Sequence, residues 1–410
     1  MASRNLEALA GTGKTTVCGV LAAAYEAGGY RVIGATPTAR AARELADAGV
    51  QADTIDAILT RLRNQPTRAP RRLVILADEN GMAGTRAMAE LVEWARRGGA
   101  KVIQVGDSQQ LAGVPASGAF AAITRAYGAE RLTEVRRQRD EAEIAALADL
   151  RAGLPERYLT HQIEQRRVHV VPDVATATAD AADWWLRAAD EYGVMRVALI
   201  TRSNDLRGDL NAAVRHLRTL RGDLDGPTVE VQRVSFQRGD RVICRHNDHM
   251  IDVDNGTRGT IVYADPRSSR LEVRADDGRR LRLPRAYVEA GHVEHAYALT
   301  AHSLQGATVE TACVVSRPDD HGARWTYTAC SRARTTTEHI VINDVADGRQ
   351  AAGRVRALAR LLEATSRDDD DQLAIEHLPG GGQNPAVAGT GRFESPGTFR
   401  RGHDAAGIDL

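Results

Sequence analysis

The sequence predicts an α/β fold, with two parallel-sheet units covered by helices and a small β-barrel inserted in the second. Three observations carry that expectation. Short apolar runs alternate with amphipathic stretches from residue 11 to about 150. The same rhythm returns at 197–220 and at 293–343. Between them, residues 233–290 alternate at period two and are broken by Asn-Gly and Asp-Asp-Gly turns, the pattern of antiparallel strands.

Taken in order, Thr15–Ala27 reads as a helix, Tyr30–Ala35 as a strand and Ala39–Ala48 as a helix. Leu73–Ala77 then reads as a strand, Thr85–Arg96 as a helix and Lys101–Val105 as a strand. The proline-bearing stretch at 62–71 reads as a small surface insertion. In the second unit Val197–Thr201 is a buried strand and Leu206–Leu220 a helix. The expected boundaries are 1–134 for the first unit, 135–232 with 293–362 for the second, and 233–292 for the insertion. Asp368–Asp371 and Gly380–Gly382 give 366–410 the composition of a disordered tail.

Composition narrows the function classes. Net charge is zero across 410 residues, so any nucleic-acid site must be a local basic face. Cys18, Cys244, Cys313 and Cys330 are scattered and form no metal or redox pair, as in a reducing cytoplasm. No run of 18 apolar residues occurs, and the first residues lack an apolar leader, so a cytoplasmic protein without a membrane span is expected.

Only two of the 54 Lys and Arg residues are lysine, and one is Lys14 in Ala10-Gly11-Thr12-Gly13-Lys14-Thr15-Thr16. A slim ammonium reaches the β- and γ-phosphates of a nucleotide as a point charge, where a planar guanidinium does not fit. The glycines let backbone N–H groups close around phosphate, and the Thr15 hydroxyl can hold Mg²⁺. This spacing predicts a nucleoside triphosphate site, with ATP and Mg²⁺ as ligands. The apolar run Leu73–Ala77 ends in Asp78-Glu79, so Asp78 can complete the Mg²⁺ shell and Glu79 can deprotonate the attacking water. A third strand leads to Gly106-Asp107-Ser108-Gln109-Gln110-Leu111, where the Gln110 amide suits a sensor of the γ-phosphate.

Together with Thr36-Pro37-Thr38, Arg137-Gln138, Thr300-Ala301-His302-Ser303-Leu304-Gln305-Gly306 and Ser331-Arg332-Ala333-Arg334, these segments give the chain its resemblance. It resembles the motor of superfamily 1 DNA helicases of RecD-like and TraI-like type, as found in MobF conjugative relaxases, over roughly residues 8–345. The resemblance implies two RecA-like domains of the P-loop NTPase fold, with an SH3-like module at the insertion. It implies that Arg137 and Arg332 reach the γ-phosphate from the second domain, and that Gln305 and Gly306 link nucleotide state to DNA grip. It implies that Thr36, Thr38, Thr300 and His302 line a single-stranded DNA path. It further implies 5′-to-3′ movement, duplex junctions as substrates and a place in conjugation; oligomeric state stays open. An RNA helicase of the same superfamily shares these motifs.

Two departures stand out. Ala8 occupies the first glycine position of the phosphate loop, and Asn80 follows the Asp-Glu pair in place of a small residue. More seriously, Arg4-Asn5-Leu6-Glu7 is polar where a central apolar strand should feed the loop. The expectation is therefore a truncated product or piece of a longer relaxase-helicase, with a hydrolysis-impaired nucleic-acid-binding remnant as the alternative. His246 and His249 invite a metal reading, but no rigid hairpin sets a Cys or carboxylate at ligand spacing beside them.

Overall fold

The computed structural model describes residues 3–111, 119–344 and 350–367. The tail expected to be disordered therefore lies outside the described residues from 368 onward. Two parallel sheets, one five-stranded antiparallel sheet and one two-stranded antiparallel hairpin organise the rest.

The first unit runs β1 (Ser3–Ala8), α1 (Lys14–Ala27), β2 (Arg31–Thr36), α2 (Ala39–Asp47), β3 (Ala52–Thr54) and α3 (Ile55–Asn64). It continues through β4 (Leu73–Ala77), α4 (Thr85–Gly98), β5 (Lys101–Gly106), α5 (Ala119–Tyr127) and β6 (Glu130–Leu132). Its strands form one parallel sheet in the order β3-β2-β4-β5-β1-β6. β4 is buried along its whole length, as a strand covered on both faces must be. One face packs Ile75, Leu91 and Val102 against α3 and α4, and the other packs Cys18, Leu45 and Leu76 against α1 and α2.

β1 corrects the expectation that Arg4–Glu7 is too polar to feed the loop. It pairs in parallel with β5 from Ser3 to Glu7 and with β6 from Leu6 to Ala8. The reason is charge neutralisation. Glu7 is buried, but its carboxylate accepts from Arg151 at 2.8 Å and Arg131 at 3.1 Å, and from the Ser108 hydroxyl. A buried carboxylate so paired keeps most of the stability that isolated burial would remove.

The second unit begins with α6 (Glu141–Arg151), α7 (Pro155–Glu164), β7 (Val168–Val171), α8 (Val174–Tyr192), β8 (Val197–Thr201) and α9 (Asn204–Arg221). The insertion follows as β9 (Asp225–Val231), β10 (Val234–Arg238), β11 (Arg241–Cys244), β12 (Arg258–Asp265), β13 (Arg270–Ala275), β14 (Arg280–Leu283), α10 (Arg285–Glu289) and β15 (Val293–His295). The unit closes with β16 (Ala298–Thr300), β17 (Thr311–Ser316), α11 (Ala323–Cys330), β18 (Thr337–Ile342) and α12 (Gln350–Ser366). Its sheet is parallel, ordered β16-β8-β17-β18-β7.

The insertion is a five-stranded antiparallel sheet, β14-β13-β12-β11-β15, and a β9–β10 hairpin around a core of Val229, Phe236, Ile261 and Leu281. Its pairing is open, with β14 and β15 at the edges, so closure into the expected barrel does not appear among the described strands. Among the described residues no helix is long and apolar enough to cross a membrane.

Candidate functional site

The loop from β1 to α1 turns at Gly11 and Gly13, both left-handed at φ +83° and +78°. The Thr12 hydroxyl donates to the Leu9 carbonyl at 2.9 Å and tightens the turn. α1 starts at Lys14 with no side-chain cap and no acid in its first turn. Its first N–H groups and its dipole are thus left for an anion.

Asp78 and Glu79 end the adjacent strand β4. The Glu79 N–H donates to Asp78 at 2.8 Å, and the Glu79 carboxylate lies 3.5 Å from the Lys14 ammonium. Glu79 holds a left-handed φ of +51°, a strained conformation for a residue with a side chain. Burial, and then the charge of Glu79, raise Asp78 to about 6, against the pull of Lys14. Two adjacent acids sharing one ammonium leave negative charge that a divalent cation would satisfy. Asp78 at the end of β4 and Thr15 in the first turn of α1 are the residues whose oxygens could hold Mg²⁺. Asn80 is buried and its amide donates to the Gln104 side chain at 2.6 Å, which ties the turn after β4 to β5.

Asp107 is a junction that the sequence reading quoted without assigning a role. Its Oδ2 accepts from the Ala10 N–H at 3.1 Å, the Tyr327 hydroxyl at 3.2 Å and the Gln110 amide at 3.2 Å. Its Oδ1 accepts from the Gln109 N–H and from Arg151 at 3.3 Å. One buried carboxylate thus joins the phosphate loop, the candidate sensor Gln110, and α11 of the second unit. Leu111 adds two ties: its N–H donates to the Thr328 hydroxyl at 2.9 Å and its carbonyl accepts from the Gln305 amide at 2.8 Å.

Of the two candidate arginines, Arg137 lies against this loop and Arg332 follows the segment that Arg137 holds. The Arg136 and Arg137 N–H groups donate to the Gly11 carbonyl, and the Arg137 guanidinium donates to the Ser331 carbonyl at 2.6 Å. Arg137 therefore sits on the connection between the two sheets, against the loop, and not out on the second unit. Burial and the charge of Arg332 push Arg137 down to about 9. Arg332 is 1% exposed and held by the Thr328 carbonyl at 2.8 Å and the Ser331 hydroxyl at 3.0 Å. Burial lowers it too, and Glu79 opposes that shift. Lys14, Glu79, Arg137 and Arg332 therefore share one electrostatic neighbourhood.

A cleft of about 250 Å³ opens between the two units and the insertion, lined by Thr38, Arg40, Arg245, Asn255, His302 and Gly306. Gly306 takes a left-handed φ of +75° there. Thr38 caps α2 by accepting the Ala41 N–H at 3.2 Å, and His302 is exposed. Thr300 is half-buried and bonded to Ser303 at 3.0 Å. Thr36 departs from its expected place on the strand path: it is fully buried, and its hydroxyl donates to the Thr38 carbonyl at 2.9 Å. It shapes the turn that presents Thr38. His246 stacks on His292 at 4.5 Å, and no metal-ligand cluster occurs among the described residues.

Sequence reasoning missed Glu7, Arg151, Tyr327 and Thr328 as parts of this site. Only Asp107, inside a motif already singled out, carried a signal that could have found it.

The chain is similar to several known proteins. A family model described as an AAA domain matches residues 2–173. The probable conjugal transfer protein TraA of Sinorhizobium fredii is 31% identical over 338 residues, 79% of this chain and 30% of its own length. The ATP-dependent RecD2 DNA helicase of Deinococcus radiodurans is 30% identical, over 79% of this chain and 45% of its own length. The chain thus spans less than half the length of either relative. In fold, a Bacteroides Pif1 crystal structure bound to single-stranded DNA matches with a TM-score of 0.54 at 17% identity, covering 87% of this chain and 93% of that one.

Proposed function

The chain belongs to the RecD/TraI-like group of superfamily 1 helicases, and from that premise we propose that it is an ATP-driven DNA translocase and helicase. The observation that carries this is the pairing of Lys14 with Glu79 at the phosphate loop, with Arg137 packed against that loop and holding the Ser331 carbonyl next to Arg332. Phosphoryl transfer needs positioning and charge stabilisation more than covalent chemistry, and an inserted arginine is worth roughly 10³–10⁵ in rate. Lys14 and the first turn of α1 hold the triphosphate, and Glu79 takes a proton from the attacking water. Thr15 and Asp78 would hold Mg²⁺, which would supply neutralisation of the phosphate charge. Gln110 shares the Asp107 carboxylate with Tyr327, so a change in its partners on hydrolysis is felt by α11.

Single-stranded DNA is assigned to the cleft lined by Thr38 and His302, and the β insertion is read as the SH3-like module that roofs it. Movement from 5′ to 3′ and a role at duplex junctions in conjugative transfer complete the proposal. Opening each base pair opposes movement by about 1.4 kcal/mol, so strand separation has to be coupled to hydrolysis. The test is ATP hydrolysis stimulated by single-stranded DNA. Lys14→Ala and Glu79→Gln are each expected to lower it at least about a hundredfold. Parent-level hydrolysis in either variant would refute the site assignment, and stimulation by RNA in place of DNA would redirect it.

A further inference from the structure

We propose that Arg43 is a specificity-determining residue that clasps the strand path shut, so that the protein accepts strands with a free end in preference to closed circles. The inference rests on the reading of the cleft as a strand path. It begins with an ion cluster that spans two units. Arg43 lies on α2, the helix capped by Thr38, and its guanidinium faces three carboxylates of the insertion. It lies 3.2 Å from Asp252 and 3.6 Å from Asp277, and pairs closely with Asp254. Arg279 braces the acids from behind, at 2.9 Å from Asp252 and 2.8 Å from Asp277.

Followed around the cleft, the contacts form a closed circuit. The first unit is tied to the second by Leu111 with Thr328 and Gln305. The second unit is tied to the insertion where Arg245 donates to Ser303 at 3.1 Å, and where Arg245 and Arg207 share Glu294 at 2.7 and 2.5 Å. The insertion is tied back to the first unit by Arg43. The cleft with Thr38, Asn255 and His302 on its walls takes its lining from all three of the units so joined. A strand held there is encircled, and a strand without ends can enter only where a link opens.

Arg43 is the link suited to open. The Leu111 ties are buried hydrogen bonds, whereas the Arg43 side chain is 35% exposed and two of its three partners are more exposed still. Exposed ion pairs are weak and screened by salt. The less exposed Asp254, at 11%, fixes the register to which the clasp returns. A direct phosphate contact by Arg43 fits poorly, because its guanidinium is already engaged by three carboxylates, which outnumber Arg43 and Arg279 together.

The experiment compares a covalently closed single-stranded circle with a linear strand of the same sequence, by association rate and by retention in a high-salt wash. The parent protein is expected to load circles several-fold more slowly than linear strands, and Arg43→Glu, which repels the three acids, brings the rates together. In an Arg43→Cys/Asp254→Cys variant the two thiols are bridged by a short bismaleimide, the native cysteines being buried. Bridged before mixing, it excludes circles and still threads linear strands. Bridged after mixing, it keeps circles through the wash and releases linear strands. Equal loading of both strands by the parent, or circle loading by the pre-bridged variant, overturns the clasp. Failure to bind linear DNA overturns the clasp and the proposed function together, whereas trapping without stimulated hydrolysis overturns only the motor.

Discussion

Gly11 is constrained twice, and the two constraints can be separated by substitution. Its φ of +83° disfavours any side chain, and a Cβ there would lie 2.5 Å from the Cβ of Arg137. Gly13 shares the left-handed backbone, but its nearest neighbour would be the Thr16 hydroxyl at 3.9 Å. Gly13→Ala should therefore lose only the backbone penalty, about 1–2 kcal/mol. Gly11→Ala should lose that plus the cost of overpacking, a further 1–3 kcal/mol or so. In urea unfolding, Arg137→Gly should recover the second part in a Gly11→Ala background. Arg137→Ala should not, because alanine keeps the offending carbon; recovery by both would refute the contact. The chemistry of Lys14, Asp78 and Glu79 was legible in the sequence because local spacing alone states it. The grip of Arg137 on Gly11, and of Tyr327 on an aspartate 220 residues away, was not, because nothing local encodes a partner so distant.

β1 shows what pattern reading loses at the level of an element. β4 and β8 form over Leu73–Ala77 and Val197–Thr201, the ranges read from the sequence, because a strand buried on both faces must be apolar throughout. β1 breaks that rule with Glu7, whose partners come from β6, α6 and the loop after β5. Barrel closure was illegible for a related reason, since it depends on bonds between strands far apart in the chain. The β1 account makes a prediction. Glu7→Leu leaves Arg151 half-compensated by Asp107 and should cost about 2 kcal/mol, less than a fully buried pair because Arg131 is well exposed. Glu7→Leu/Arg151→Leu should regain most of that stability, since apolar replacements of similar volume substitute well for buried ion pairs. Hydrolysis should not return with it, because Asp107 has lost one of its positioning donors. Recovery of both by the double variant would show the network to be packing alone.

At the scale of the whole molecule, the second unit should fail first in acid. His321 lies between the Ser316 hydroxyl at 2.7 Å and the Thr326 hydroxyl at 2.9 Å, with Trp325 edge-on at 5.0 Å. Thr326 gives its own proton to the Gly322 carbonyl, so the imidazole donates from Nδ1 and accepts at Nε2, the neutral form. Burial, with His339 and Arg202 nearby, pushes it down to about 3. The arrangement resembles a nucleophilic serine pair, but both residues are buried, and it serves to brace β17 against α11. His339 on β18 meets the Tyr158 hydroxyl of α7 at 3.0 Å, and burial, with His169 adding its charge, pushes it down to about 4. Both values are depressed, so between pH 6.5 and 4 the unfolded chain binds more protons than the folded one. Stability is then fully present above pH 6.5 and falls as the pH falls. At pH 5 each histidine should lower the unfolding free energy by about 2 kcal/mol relative to pH 7. Because α11 leads directly into Ser331 and Arg332, the arginine proposed to serve the nucleotide should loosen with it. Urea unfolding at pH 7, 6 and 5 measures the slope. His321→Gln and His339→Gln keep a polar partner without a titrating ring, so each should remove about half of it, whatever its effect on stability at pH 7. An unchanged slope in both variants would overturn the assignment of the acid sensitivity to His321 and His339.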